Sequence, residues 1–145
     1  MKKLIAALFI SFWYMGNLSA QEIKVVDATV RAWDGADFET KPVKPPPHGA
    51  NYTITLYCQN PVSIVLDSIY MENYSYKLAQ QNVYLDSLHT YTIHLSYSSR
   101  NPLPIDASNN SMLLNNAAIV LYEYNGTKHS LHIQLFTRLQ TMHIK

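Results

Sequence analysis

The chain has 145 residues, 48% of them hydrophobic and only 14% charged, with 11 Lys or Arg against 10 Asp or Glu. A formal charge of +1 leaves no electrostatic footprint for nucleic acid or an anionic membrane surface. The length suits one domain burying roughly two thirds of its unfolded surface, and a single cysteine excludes an intrachain disulfide framework.

Lys2 and Lys3 precede an apolar run over residues 4–14 and small residues at Ser19 and Ala20, the pattern of a secretory signal peptide cut after Ala20. That run falls short of the ~20 apolar residues a spanning helix needs, and no second such run follows. The expected product is therefore a soluble, exported single domain over residues 21–145, periplasmic or secreted. No Cys lies near the cut to carry a lipid. Loss of Lys2 and Lys3 leaves nine basic residues against ten acidic ones.

Beyond residue 20, helical periodicity gives way to period-two alternation rich in Tyr, Thr, Ile and Val, punctuated by Asn, Pro and Gly. The first strand is expected over 23–33, ending at Asp34 and Gly35. A connection through Pro42, Pro45, Pro46 and Pro47 follows, because prolines cannot donate ladder hydrogen bonds. Its Pro42, Val43, Lys44, Pro45 segment is formally a PxxP sequence, read as a stiff loop. Over 51–59, Tyr52, Ile54, Leu56 and Cys58 share one face and Thr53, Thr55 and Tyr57 the other. Cys58 thus reads as a buried, inert thiol.

After Asn60 and Pro61, residues 62–71 form the next expected strand, with Ile64, Leu66, Ser68 and Tyr70 opposed by Val65, Asp67, Ile69 and Met71. Glu72 and Asn73 suit a turn, 74–78 a returning strand and 82–85 a short edge. Residues 90–97 alternate again, with Tyr91, Ile93, Leu95 and Tyr97 inward and Thr92, His94 and Ser96 outward. A long loop is expected over 98–116, with 112–114 dipping to the core. Strands over 117–124 and 127–139 flank Asn125 and Gly126, which suit the positive φ angles of a type I′ hairpin. The sum is an all-β fold, an immunoglobulin-like antiparallel sandwich of about seven strands. The Cys, Trp, Cys signature of antibody domains is absent, so the expectation concerns architecture.

Leu66, Asp67, Ser68, Ile69 and Tyr70, with Lys77 and Leu78 and the hairpin over 122–133 carrying Gly126, resemble a group of uncharacterised small secreted β-sandwich proteins of the Bacteroidetes. The resemblance covers about a quarter of residues 21–145. It implies a cell-envelope setting and a sandwich fold, and brings no activity or catalytic residue with it. In that setting Asp67, Ser68, Ile69 and Asp86, Ser87, Leu88 resemble the Asp, Ser or Thr, then apolar tripeptide of periplasmic O-glycosylation, which makes Ser87 and Ser68 the candidate sites. Asn51, Tyr52, Thr53 is a sequon relevant only to a eukaryotic host.

Six histidines raise the question of a metal. His129 and His132, three apart on a strand, face opposite sides, whereas His94 and His132 share outward parity. Surface histidines are the simpler reading, because no carboxylate or Cys is placed to complete a site. Asp34, Asp37 and Glu39 miss the EF-hand spacing and read as a solvated acidic turn. Neither a metal nor a cofactor is expected. No nucleophile elbow, Ser-x-x-Lys motif or zincin helix is present, and Gly35, Gly49 and Gly126 are too few and too scattered to cradle phosphates. A non-enzymatic protein is expected, although Ser, His and Asp converging in space would make a hydrolase. The tyrosines offer rigid amphipathic surfaces for sugars or protein edges, above all Tyr70, Tyr74 and Tyr76 around one turn, with Tyr57 and Tyr84. The expected function is a non-catalytic binding module for a protein or glycan of the cell envelope. The alternative is an assembly role in which an exposed strand over 127–139 pairs at its edge.

Overall fold

The computed structural model describes residues 22–35, 47–72, 74–99 and 116–144. The expected signal peptide, the proline-rich connection with Asp37 and Glu39, and the loop around 112–114 lie outside these residues. Among the described residues there are eight strands: β1 (Ile23–Gly35), β2 (His48–Cys58), β3 (Val62–Met71), β4 (Ser75–Leu85), β5 (Tyr91–Ser98), β6 (Ala118–Tyr124), β7 (Thr127–Ile133) and β8 (Thr137–Ile144). They form sheet A, in the order β5-β2-β1-β8, and sheet B, in the order β4-β3-β6-β7. The first seven strands therefore form an immunoglobulin-like sandwich, with β5-β2-β1 facing β4-β3-β6-β7.

The core follows from the alternation of β2 and β5. Tyr52, Ile54, Leu56 and Cys58 are all buried, as are Ile93 and Leu95 opposite them, whereas Thr53, Thr55 and Tyr57 face out. From sheet B, Val62, Ile64, Leu66, Ile69, Val83, Leu85, Val120 and Ile133 close against them. On the outer face of sheet A the polar residues pair across strands, Thr55 Oγ1 with Thr92 Oγ1 at 3.1 Å and the Ser96 hydroxyl donating to Asn51 Oδ1 at 2.9 Å.

The hairpin between β6 and β7 has Asn125 at φ 49° and Gly126 at φ 75°, the backbone of a type I′ turn. The strand expected over 127–139 is broken at residues 134–136, because the chain there leaves sheet B for sheet A. Phe136 drives the crossing. Its side chain is buried, edge-on to Tyr52 with ring centroids 5.2 Å apart, and its N–H donates to the Asn116 carbonyl at 2.8 Å. Arg138 then donates to Asn116 Oδ1 at 2.7 Å, and β8 runs parallel to β1 as an eighth strand. The return over 74–78 and the edge over 82–85 are one strand, β4, interrupted at residues 78–80, where Gln80 takes a φ of 43°.

The expected phase of β3 holds as far as Leu66 and then reverses. In the β3–β6 ladder Leu66 pairs with Tyr122 and Ser68 with Leu121, so Asp67 is an extra residue, a β-bulge. In the β3–β4 ladder residues 78–80 stand opposite Asp67 alone. Beyond the bulge Ile69 and Met71 turn to the core, while Ser68 and Tyr70 turn outward, the opposite of the expectation from unbroken alternation. Tyr70 is 50% exposed as a result.

Gly49 marks the closest packing in sheet A. A Cβ there would lie 2.5 Å from the Trp33 indole and collide with the Tyr97 carbonyl, so the ring lies across the glycine of the neighbouring strand. Gly49→Ala is expected to destabilise the fold by about 2 kcal/mol through overpacking. Gly126→Ala, which has open space but a positive φ, is expected to cost about 1 kcal/mol. Urea unfolding of both variants checks the order.

Candidate functional site

The bulge shapes the outer face of sheet B. Asp67 and Ser68 project to the same outward side, and the pairs Tyr70–Ser75 and Ser68–Lys77 lie side by side across β3 and β4. Together they line an open depression of about 400 Å³ formed by Asp67, Ser68, Tyr70, Ser75, Tyr76 and Lys77. A smaller one of about 60 Å³ adjoins it, formed by Val65, Asp67, Gln80, Leu121, Tyr122, Glu123 and Lys128. Asp67 borders both. Among the described residues, none of the side chains of Asp67, Ser68, Tyr70, Ser75 and Lys77 makes a hydrogen bond or ion pair.

The five tyrosines singled out from the sequence do not form one platform. Tyr70 and Tyr84 share the outer face of sheet B, but their β3 registers, Tyr70 itself and Ser63, set them roughly 20 Å apart along the strand. Tyr57 lies on the outer face of the other sheet, paired with Lys24. Tyr74 and Tyr76 point inward. The Tyr74 ring lies 4.5 Å from that of Tyr97, centroid to centroid, and 6.4 Å from that of Tyr76. Desolvation, followed by its hydrogen bond with Tyr97, holds the Tyr74 phenol well above its ordinary range. Burial, with Tyr52 and Tyr97 adding to it, pushes Tyr76 up to about 12. The Tyr76 hydroxyl is buried with no hydrogen-bond partner among the described residues.

Tyr84 belongs to the turn that carries Ser87. Desolvation and its hydrogen bond to Asp86 raise its phenol pKa. The Asp86 carboxylate accepts from the N–H groups of Leu88 at 2.7 Å and His89 at 2.8 Å, and pairs with His89 Nδ1 at 2.8 Å. The Leu88 N–H, with His89 adding to it, lowers the carboxyl pKa against a smaller desolvation effect. The turn holds Ser87 exposed, whereas Ser68 in its strand is 8% exposed. Of the two candidate hydroxyls, only that of Ser87 stands clear of the sheet for a modifying enzyme.

The histidines separate. His94 is on β5 of sheet A and His132 on β7 of sheet B, so the pair that shared outward parity faces opposite sides of the sandwich and cannot share a ligand. His129 stacks on Tyr122 at 5.4 Å, and His143 Nδ1 lies 3.5 Å from Asp34 Oδ2. Among the described residues no group of three or more His, Cys, Asp or Glu is placed to hold a metal, and no helix is long and apolar enough to cross a membrane. The depression between Tyr70 and Lys128 was hidden from the sequence because it depends on the bulge. Its one local signal is a carboxylate, Asp67, between apolar residues of both phases. The chain matches no family profile and no curated protein.

The linkage of Tyr74 and Tyr76 has a definite sign. Both phenols keep their protons in the folded state at pH values where the unfolded chain ionises, so stability is full below about pH 10 and falls as pH rises toward 12. Tyr76→Phe, which removes a buried hydroxyl without a partner, is expected to leave neutral-pH stability unchanged or raise it by up to about 1 kcal/mol. It should also flatten the alkaline loss, as read by denaturant melts between pH 8 and 12.

Proposed function

We propose that this chain is an exported, non-catalytic binding module of the cell envelope, which holds its partner on the outer face of sheet B. The observation that carries the reading is the depression at the β3 bulge. It sets a half-exposed aromatic ring beside a carboxylate, an ammonium and two hydroxyls that no described residue occupies. Concave sites in which a few polar groups converge beside an aromatic surface are the usual place for ligands, and bulges re-aim side chains at such places. The signal-like start of the sequence supports export, and the shallow, open form of the depression suits holding a partner better than enclosing a reaction.

The test is retention of partners from an envelope extract of the producing cell by immobilised wild-type protein and by two variants. The double variant Tyr70→Ala, Asp67→Asn is expected to lose most of the retained material with little change in melting temperature. Tyr84→Ala, on the same face but distant from the depression, should keep it. Equal retention by all three proteins would remove the proposed face.

A second reading, assembly through a strand edge, is favoured by β8. All eight of its residues are exposed, no strand of the described residues pairs with its outer edge, and Leu139, Met142 and Ile144 lie on one face of it. Such an edge is a template for another strand. Light scattering across a hundredfold concentration range is expected to show a reversible dimer under this reading, abolished by Leu139→Lys. A constant monomer mass would rule out self-pairing.

A further inference from the structure

We infer that the depression at the β3 bulge is a carbohydrate subsite that takes an uncharged pyranose ring of a glycan. This inference rests on the binding role proposed for the same face. A pyranose has a C–H face and a rim of hydroxyls, each both donor and acceptor. The lining matches both parts: Tyr70, 50% exposed, offers a ring face, and Asp67, Ser68, Ser75 and Lys77 surround it with groups of both hydrogen-bonding senses. The Asp67 carboxylate can accept from two hydroxyls at once, and Lys77 can only donate.

The charges select against other ligands. Asp67 and Lys77 cancel, so a phosphate or sulfate would meet a carboxylate and a metal cation would meet an ammonium. A peptide adding as a strand needs free backbone groups, and would pair at the outer edge of β4 rather than over the face, where β3 is paired along both edges, by β4 and by β6. A neutral polyhydroxyl ring suffers none of these penalties. The main depression, about 400 Å³ and open to solvent, has room for one such ring.

The adjoining depression extends the inference. It shares Asp67 and adds the polar residues Gln80, Glu123 and Lys128 and the apolar Val65 and Leu121. Asp67 therefore stands between two adjacent polar hollows, and a ligand that reaches the second extends beyond one ring, by a substituent or by part of a second sugar. Gln80, at φ 43°, lies at the break in β4 and lines the second hollow.

The experiment is a ¹⁵N-resolved titration of the folded chain with methyl glycosides of glucose, galactose, mannose and N-acetylglucosamine, then with cellobiose, lactose and chitobiose. Inorganic phosphate and calcium chloride serve as charge controls. The expected result is saturable shifts at residues 67–70 and 75–77 with at least one sugar. The matching disaccharide should bind several-fold more tightly and extend the shifts to residues 80 and 123–128. Tyr70→Ala should weaken that sugar by about tenfold, the loss of one ring contact, and Tyr70→Phe should retain it. Saturable shifts at these residues with phosphate or calcium alone would overturn the inference. If no sugar shifts them while an envelope protein is still retained in a Tyr70-dependent way, the site binds protein: the carbohydrate inference falls and the binding role stands. If neither occurs, both fall.

Discussion

A pleated strand can place residues 66 and 69 on the same side only if its period of two is interrupted, and in β3 both Leu66 and Ile69 are fully buried. The extra residue, Asp67, is the interruption on which the rest of sheet B depends. It lets the first half of β3 pack Ile64 and Leu66 inward and the second half pack Ile69 against Val120 and Tyr76. It also sends two consecutive side chains, Asp67 and Ser68, to the outer face. One local departure thus completes the core and makes the depression, and it lies in a central strand, where both neighbours must accommodate it. β6 does so without an extra residue of its own, whereas β4 sets three residues, 78–80, opposite Asp67, with Gln80 left-handed.

The second structural decision is the exit of the chain from sheet B. Continuing β7 would have lengthened a hairpin that already has an exposed edge. Burial of Phe136 against Tyr52 instead draws the chain over the side of the sandwich, where Asn116 fixes it through its carbonyl to Phe136 N–H and its amide oxygen to Arg138. β8 then covers one edge of β1 and becomes the new edge, with both of its own faces in solvent. The free edge of sheet A is therefore displaced to a strand that contributes nothing to the core. That separation allows partner pairing at β8 without disturbance of the sandwich.

Where one face of a strand is wholly apolar, the sequence was sufficient. Residues 51–58 and 91–97 alternate without ambiguity and occupy the faces expected of them, and the Asn125–Gly126 turn adopts the type I′ backbone that its two residues favour. β3 was different: Val65, Leu66, Ile69, Tyr70 and Met71 place apolar residues in both phases, so the reversal of phase is marked only by the carboxylate of Asp67 among them. Parity also gives a face but not a sheet, which is why His94 and His132 seemed able to meet. The end of β7 was illegible for a related reason, since Leu135 and Phe136 extend an apolar pattern whether or not the chain crosses to the other sheet.

The tyrosines show how inner packing dictates the outer surface. Tyr76 is held inward by contacts with the core and by its place in the ring series Tyr52, Tyr74 and Tyr97, and its raised pKa reflects that enclosure. Because Tyr76 pairs with Ile69 in the inward position, its neighbours Ser75 and Lys77 must point outward, next to Tyr70 and Ser68. The rim of the depression is therefore set by a residue that lies mostly beneath it. A substitution at Tyr76 that loosened its inward packing would disturb the alignment of Ser75 and Lys77 without touching the outer face, whereas Phe, which keeps the ring, preserves it. Those tyrosines that the register turns inward fix the strands, Tyr57 and Tyr84 lie on outer faces away from the bulge, and Tyr70, which the bulge turns outward, has its ring beside polar groups that no described residue pairs.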